Sequence, residues 1–208
     1  RSLARAVVIT EDSCTYVMER LAPQGVTRKM EIAARLQALS QAGLGGLSPY
    51  LPTSTGQHVV PLGTHYWQIS PYLAGEPLPR PGWVWESWRG EAMAGFLVDL
   101  YAAAARSGLA AGPVYSVSDF CRDFYRRLER HRPDLASALS WLVEQLLSRW
   151  LPPEGEMKDA FCHGDPHPLN MIWGSDGPRL RAVIDWEFCG VRPAAYDAAL
   201  IVSCAGIE

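Results

Sequence analysis

Ten residues near the C-terminal end of the chain, FCHGDPHPLN at 161–170, contain two histidines, an aspartate and an asparagine. Two chemistries use such side chains on one loop. Imidazole and carboxylate are ligands for zinc or iron, so His163, Asp165 and His167 are candidates for a metal-dependent hydrolase centre. Phosphoryl transfer to a hydroxyl makes different demands. A carboxylate must orient the alcohol and accept its proton, and oxygen donors must hold a hard cation against the phosphates. The spacing suits the second case: Asp165 precedes Asn170 by five residues, and Asp185 follows fifteen residues after that. This is the order base, amide ligand, carboxylate ligand. Pro166 and Pro168 weigh against the hydrolase, because residues 163, 165 and 167 share a side only in a regular strand. Taken singly, Asp165 is equally a turn aspartate and Asn170 a cap. His163 is read as a buried imidazole bonded to backbone carbonyls.

The elements that must position this loop follow from periodicity. AVVIT (6–10) and TYVMERL (15–21) are strand-like runs separated by the turn EDSC. A helix capped by Thr27 is expected to run to about Gln41, with Ile32, Leu36 and Leu39 on one face and GLGG ending it. QHVVPL (57–62) and HYWQISPYL (65–73) are two further strands. AGEPLPRPG (74–82), with two Gly and three Pro, marks the boundary after which the chain turns helical. Met93, Phe96, Leu97, Leu100 and Ala104 form one apolar stripe, stopped by SG at 107–108. Phe120, Phe124 and Leu128 form a second, opened by Ser116 or Ser118. Leu135, Leu139, Leu142 and Leu146 form a third, closed by Pro152 and Pro153. All three stripes are expected to be core faces. A short strand at about 159–162 leads into the loop, and NMIW (170–173) and LRAVID (180–185) are strands around the turn GSDG. A last helix is expected to begin near Pro193. The loop thus sits between strands, with Asp185 at a strand end, as catalytic groups on rigid scaffolds commonly do.

Composition excludes several classes. The 208 residues are 48% hydrophobic and 20% charged, with a formal charge of −3, so no basic field is present to hold a nucleic acid. Lysine occurs only as Lys29 and Lys158. No apolar stretch is long enough for a membrane-spanning helix, and the N-terminus is not of signal-peptide type. Five scattered cysteines without C-x-x-C spacing are neither a disulfide framework nor a zinc ribbon, which suits reduced thiols in a cytoplasmic protein.

CHGDPHPLNMIW (162–173) followed by AVIDWEFCGVRPAAYDAAL (182–200) resembles the aminoglycoside phosphotransferase and choline kinase superfamily. Its signature is a loop H-G-D-x-H-x-x-N, then I-D-[WF]-[DE], then an Asp before a small-residue helix. The resemblance is dense over these forty or so residues and weaker elsewhere. It implies an α+β, protein-kinase-like two-lobe fold. Residues 1–75 would form a small antiparallel-sheet nucleotide-binding lobe lacking its first strand and glycine-rich turn. Residues 76–208 would form a helical lobe carrying the catalytic loop 161–170 and the metal-binding strand end 184–187, short of the family's closing helices. By the same resemblance Asp165 is the base, Asn170 and Asp185 hold Mg2+, and His167 and Glu187 face the acceptor or its metal. The resemblance also implies ATP as the phosphate donor. Asp197 matches the downstream Asp and is read as structural, a first-turn carboxylate favouring its helix.

The family also places a Lys or Arg on the third strand, paired with a helix Glu. Here simple alternation turns Glu19 inward and Arg20 outward. The expectation is that a local bulge brings Arg20 to the phosphates, with Glu31 on the helix as its acidic partner; otherwise the cationic role is reassigned or missing. Adenine is expected against QISPYL (68–73), at Pro71, Tyr72 and Leu73. The acceptor is a hydroxyl of a small molecule: an amino alcohol, an aminoglycoside, homoserine or a sugar. Trp186 with Trp83, Trp85 and Trp88 could wall an ammonium group, although core packing explains them as well. A non-catalytic kinase-like binding module is the alternative, with the His/Asp hydrolase behind it.

Overall fold

The computed structural model describes residues 2–207, with side chains described for residues 4–149 and 156–207. The β-branched and aromatic runs at the start pair as a hairpin of β1 (Ser2–Ile9) and β2 (Thr15–Leu21). Its turn is closed by Thr10 N–H donating to Cys14 C=O at 2.9 Å. β4 (His65–Pro71) pairs antiparallel with β2, and the short β3 (Val60–Leu62) pairs with β4, giving the order β1-β2-β4-β3. Register places Glu19 opposite both Arg5 on β1 and Gln68 on β4.

α1 (Val26–Gln41) closes one side of the site and buries Lys29, Ile32, Ala33, Leu36 and Leu39. Its N-cap is Gly25 rather than Thr27, because the 3-10 turn Pro23–Gly25 already leads the chain into helical geometry. A glycine is acceptable at that position.

α2 (Ser87–Arg106) carries the expected stripe into the main core, where Phe96, Leu97 and Leu100 meet Ile32 and Leu36 of α1 and Phe161, Val183 and Trp186. It ends where expected, with Ser107 Oγ donating to Ala103 C=O at 2.9 Å and Gly108 at φ +73°. The stripes of α3 (Val117–His131) and α4 (Pro133–Glu156) behave differently. Ser116 caps α3 by accepting from Asp119 N–H at 3.1 Å. The two helices then pack as a hairpin on each other. Phe120, Phe124, Leu135, Leu139, Leu142 and Leu146 all remain at least 37% exposed, so they are not the core faces expected of them. α4 also continues past Pro152 and Pro153 to Glu156. The φ that proline fixes is itself helical, so close to a helix end it costs a hydrogen bond and some crowding of the preceding turn without ending the helix at once.

The site-bearing segment forms two small ribbons. β5 (Asp159–Cys162) pairs with β8 (Gly190–Pro193), and β6 (Met171–Trp173) pairs with β7 (Leu180–Val183). Pro193 therefore ends a strand instead of starting the last helix, α5, which spans Tyr196–Gly206. Its missing N–H is no loss at a strand end. The connector after β4 lies tight on β6: Glu76 N–H donates to Trp173 C=O at 3.0 Å, and a Cβ on Gly75 would come within 2.7 Å of that carbonyl oxygen. No helix among the described residues is long and apolar enough to cross a membrane.

Candidate active site

The catalytic-type loop starts where β5 ends, and its first two amides are held from α5. Asp197, fully buried, accepts from His163 N–H at 2.7 Å and Gly164 N–H at 2.9 Å. Burial pushes its carboxyl pKa up, while those two amides pull it back. Gly164 sits at φ +86°, and a Cβ there would lie 2.2 Å from the Phe188 carbonyl oxygen. Only glycine lets the loop pass so close to the 186–189 segment. His163 is buried among these groups. Its Nδ1 accepts from Asp165 N–H at 3.2 Å, so Nε2 is protonated and donates to Ile184 C=O at 3.0 Å. Its ring lies 4.5 Å from that of Trp186. Burial pushes its pKa down to about 4. With both nitrogens engaged and the ring neutral, His163 is a brace between loop and strand end, as expected from sequence, and it has no lone pair to offer a metal.

Asp165 and Asn170 are joined across the loop. Asn170 Nδ2 donates to Asp165 C=O at 3.0 Å and to Asp165 Oδ2 at 3.2 Å. The amide nitrogen is thereby occupied and Oδ1 is left to serve a cation. Ile184 N–H donates to Asn170 C=O at 2.8 Å, which fixes Asp185 relative to Asn170. Asp185 itself adopts a left-handed conformation, φ 63° and ψ 61°, an uncommon state that a short polar side chain tolerates best. His167 caps the 3-10 turn Pro168–Asn170, its Nδ1 accepting from Leu169 N–H at 3.2 Å.

Between sheet and helices lies a cavity of about 380 Å³. Val17 and Glu19 of β2, Lys29 of α1, Pro71, Tyr72, Leu73, Asn170 and Asp185 all line it. Asp165 and His167 belong to the adjoining loop and are not part of this lining. Asn170 and Asp185 both line it, and an amide oxygen with a carboxylate is a hard-oxygen donor set of the kind a divalent cation takes while keeping several waters.

The cations differ from expectation. β2 pairs with β4 in unbroken register from Tyr16 to Leu21, so no bulge turns Arg20 inward. Arg20 lies on the other face and does not line the cavity; its Nε is buried without a partner. Glu31 is also outside, half-exposed and 3.4 Å from Arg28 of its own helix. The inward residue is Glu19, 5% exposed, and it is surrounded. Arg5 Nε and Gln68 Nε2 donate to it, and Lys29 Nζ lies 3.7 Å away. Lys29, 2% exposed, also pairs with Glu187 and reaches Tyr50 Oη at 3.5 Å. A buried carboxylate and ammonium are each costly alone, so the cluster stands only as a set. Burial works to lower the Lys29 pKa, but Tyr50, Glu187 and Glu19 raise it. α1 also grips the segment after Asp185: Arg28 Nη2 donates to Glu187 C=O at 2.9 Å and Cys189 C=O at 2.7 Å, and Arg35 Nη1 to Cys189 C=O at 2.9 Å.

Sequence reasoning missed Arg5 and Lys29. A signal existed for Lys29. It falls one turn before Ile32 on the apolar face of α1, where a lysine is out of place unless paired. The tryptophans form no common wall. Trp83 and Trp186 are core residues at 3% exposure, while Trp85 is 87% exposed.

The model of the phosphotransferase enzyme family matches residues 2–207. The chain belongs to that family. Among solved structures, the phosphotransferase-family fold recurs in aminoglycoside 2'-phosphotransferase-IIIa in its GDP complex, with TM-score 0.71, 14% identity, and coverage of 98% of this chain and 70% of that one. Aminoglycoside phosphotransferase APH(3'')-Id from Streptomyces rimosus, in complex with ADP and streptomycin, gives TM-score 0.59 and 18% identity, covering 99% and 76%. Amicoumacin kinase hAmiN, in complex with AMP-PNP, Ca2+ and Ami, gives 0.64 and 14%, covering 97% and 62%. At such identities the likeness is one of fold, the protein-kinase-like fold expected. Comparison with curated protein sequences finds no match. Family membership supports a small-molecule kinase in general.

Proposed function

We propose that this chain transfers the γ-phosphoryl group of ATP to a hydroxyl of a small molecule. The observation that carries the reading is the bonded pair of Asp165 and Asn170, tied through Ile184 to Asp185, with Asn170 and Asp185 at the wall of the cavity. Asp165 orients the acceptor hydroxyl and takes its proton as the oxygen attacks phosphorus. Asn170 Oδ1 and Asp185 are the residues that would hold Mg2+. The ion would supply neutralisation of charge on the phosphate oxygens. His167, on the same loop as Asp165, would face the acceptor. Pro71, Tyr72 and Leu73 receive the adenine, and residues 1–75 and 76–208 act as the two lobes that enclose the nucleotide. The nucleotides and the divalent ion held by the structural relatives named above support the donor. Their acceptors leave the class open among aminoglycosides, amino alcohols, homoserine and sugars. The His163, Asp165 and His167 hydrolase is disfavoured because both His163 nitrogens are committed to backbone.

The test is Mg2+-dependent conversion of ATP to ADP in the presence of a panel of hydroxyl compounds, with phosphorylated acceptor detected by mass. Acceptor-dependent turnover is expected. Nucleotide binding without turnover on any acceptor would favour a binding module, and metal-dependent hydrolysis with no phosphorylated product would favour the hydrolase.

A further inference from the structure

We infer that Arg5, on β1, is the residue that clamps the phosphates of the bound nucleotide, and that Glu19 and Lys29 form the buried anchor that aims it. The inference rests on the nucleotide-binding reading above and names the cation that reading lacks. Among the described residues, Arg5, Arg20 and Lys29 are the candidate cations, and the geometry separates them. Arg20 faces away from the cavity. Lys29 faces it, but its side chain is 3% exposed and its ammonium group is already ion-paired with Glu187 and with Glu19 at 3.7 Å, with Tyr50 Oη at 3.5 Å. A lysine so enclosed has its charge matched by two carboxylates and little surface left to offer a ligand. Arg5 lines the same cavity, is 54% exposed along its side chain, and spends only Nε on Glu19. Among the described residues its two terminal nitrogens have no partner. Burial works to lower the Arg5 pKa, but Glu19 and, to a lesser extent, Asp185 of the same cavity raise it.

The arrangement follows from register. Arg5 and Glu19 are cross-strand partners, so a carboxylate on β2 can hold the guanidinium of β1 by one edge and leave the other edge free. A planar fork fixed this way matches two phosphate oxygens, which a point-charge ammonium cannot do. Lys29 then serves by neutralising Glu19 from below, so that Glu19 does not repel the nucleotide. The pair is reversed in polarity relative to the arrangement implied by the sequence resemblance: the acid is on the strand and the base on the helix.

Calorimetric titration of Mg2+-ATP, ADP and adenosine into wild type, Arg5→Gln, Arg5→Lys and Lys29→Met tests this. Arg5→Gln is expected to lose roughly ten- to a hundredfold in affinity for ATP and ADP, the size of a lost charge-assisted contact, with adenosine affinity unchanged. Arg5→Lys should recover only part of the loss. Arg5→Gln removes one charge partner of buried Glu19, so its melting temperature is expected to fall, and unchanged adenosine affinity separates the lost phosphate contact from any loss of fold. Unchanged ATP affinity in Arg5→Gln, or an equal loss for adenosine, overturns the assignment. So does a phosphate-selective loss seen in Lys29→Met but not in Arg5→Gln, which would give the role to the helix lysine. A wild-type protein that binds no nucleotide would overturn the phosphotransferase reading itself and this inference with it.

Discussion

An asparagine at position 165 would keep the size of the side chain and an oxygen able to accept from Asn170, but it could not take a proton. Asp165→Asn is therefore expected to fold normally and to lose turnover by roughly 10²–10⁴, the usual worth of a positioned base. Circular dichroism and steady-state rates check the two halves, and near-normal turnover would remove Asp165 from the role. His163 permits a prediction in pH. Its ring is neutral in the fold down to about 4, whereas in the unfolded chain it takes up a proton near 6.5. Above 6.5 both states hold it neutral. As pH falls from there toward 4, only the unfolded chain gains the proton, so stability drops by about 3 kcal/mol over that window. Asp197, raised by burial, acts in the opposite sense, so the comparison must be made by difference. Urea melts of His163→Gln, whose amide can still donate to Ile184, should lack this acid-side fall relative to wild type. The contact between Asp165 and Asn170 was legible because it depends on a short spacing along the chain. The cluster of Arg5, Glu19 and Lys29 was not, because it depends on which strand lies beside which and on how deep α1 sits.

Elements were legible where one segment carries its own signal. The hairpin, α1, β4 and α2 come from alternation or a 3.6-residue period, and each lies close to where its pattern puts it. β8 was not legible, since GVRP makes sense only against DAFC, twenty-eight residues before it. That pairing is what carries Asp197 under the loop. The apolar stripes of α3 and α4 show the complementary failure: periodicity says that a face is apolar, not what covers it. The element-scale prediction concerns α5. Asp197→Ala leaves two buried N–H groups unpaired, each costing about 1–3 kcal/mol. It should lower stability by a few kcal/mol and lower turnover further than the melting temperature alone accounts for, because His163 and Asp165 lose their reference point. Asp197→Asn, which keeps one acceptor oxygen, should fall between. A variant with wild-type urea midpoint would show that the loop is held from elsewhere.

At the scale of the whole molecule, the cavity between sheet and helices makes the sharpest demand. If it takes a nucleotide, the flat base must pair with backbone at the exit of β4, since that is where the strand runs out of neighbours. Tyr72 N–H is already given to Thr15 C=O at 3.0 Å and Glu76 N–H to Trp173 C=O at 3.0 Å. Leu73, between them, makes no backbone hydrogen bond among the described residues. Leu73 and Ala74 are therefore expected to exchange their amide hydrogens quickly in the free protein, flanked by slower positions on both sides. Adding Mg2+-ATP should slow exchange across 68–75 and at 170–185, where Asn170 and Asp185 lie. It should leave the α3–α4 hairpin unchanged, because that hairpin does not border the cavity. Hydrogen-exchange mass spectrometry resolves these segments. Adenosine alone should protect the first segment and not the second, because it carries no phosphate to draw a cation between Asn170 and Asp185. Protection confined to the α3–α4 hairpin would place the ligand on the exposed helical face and leave the cavity without its nucleotide.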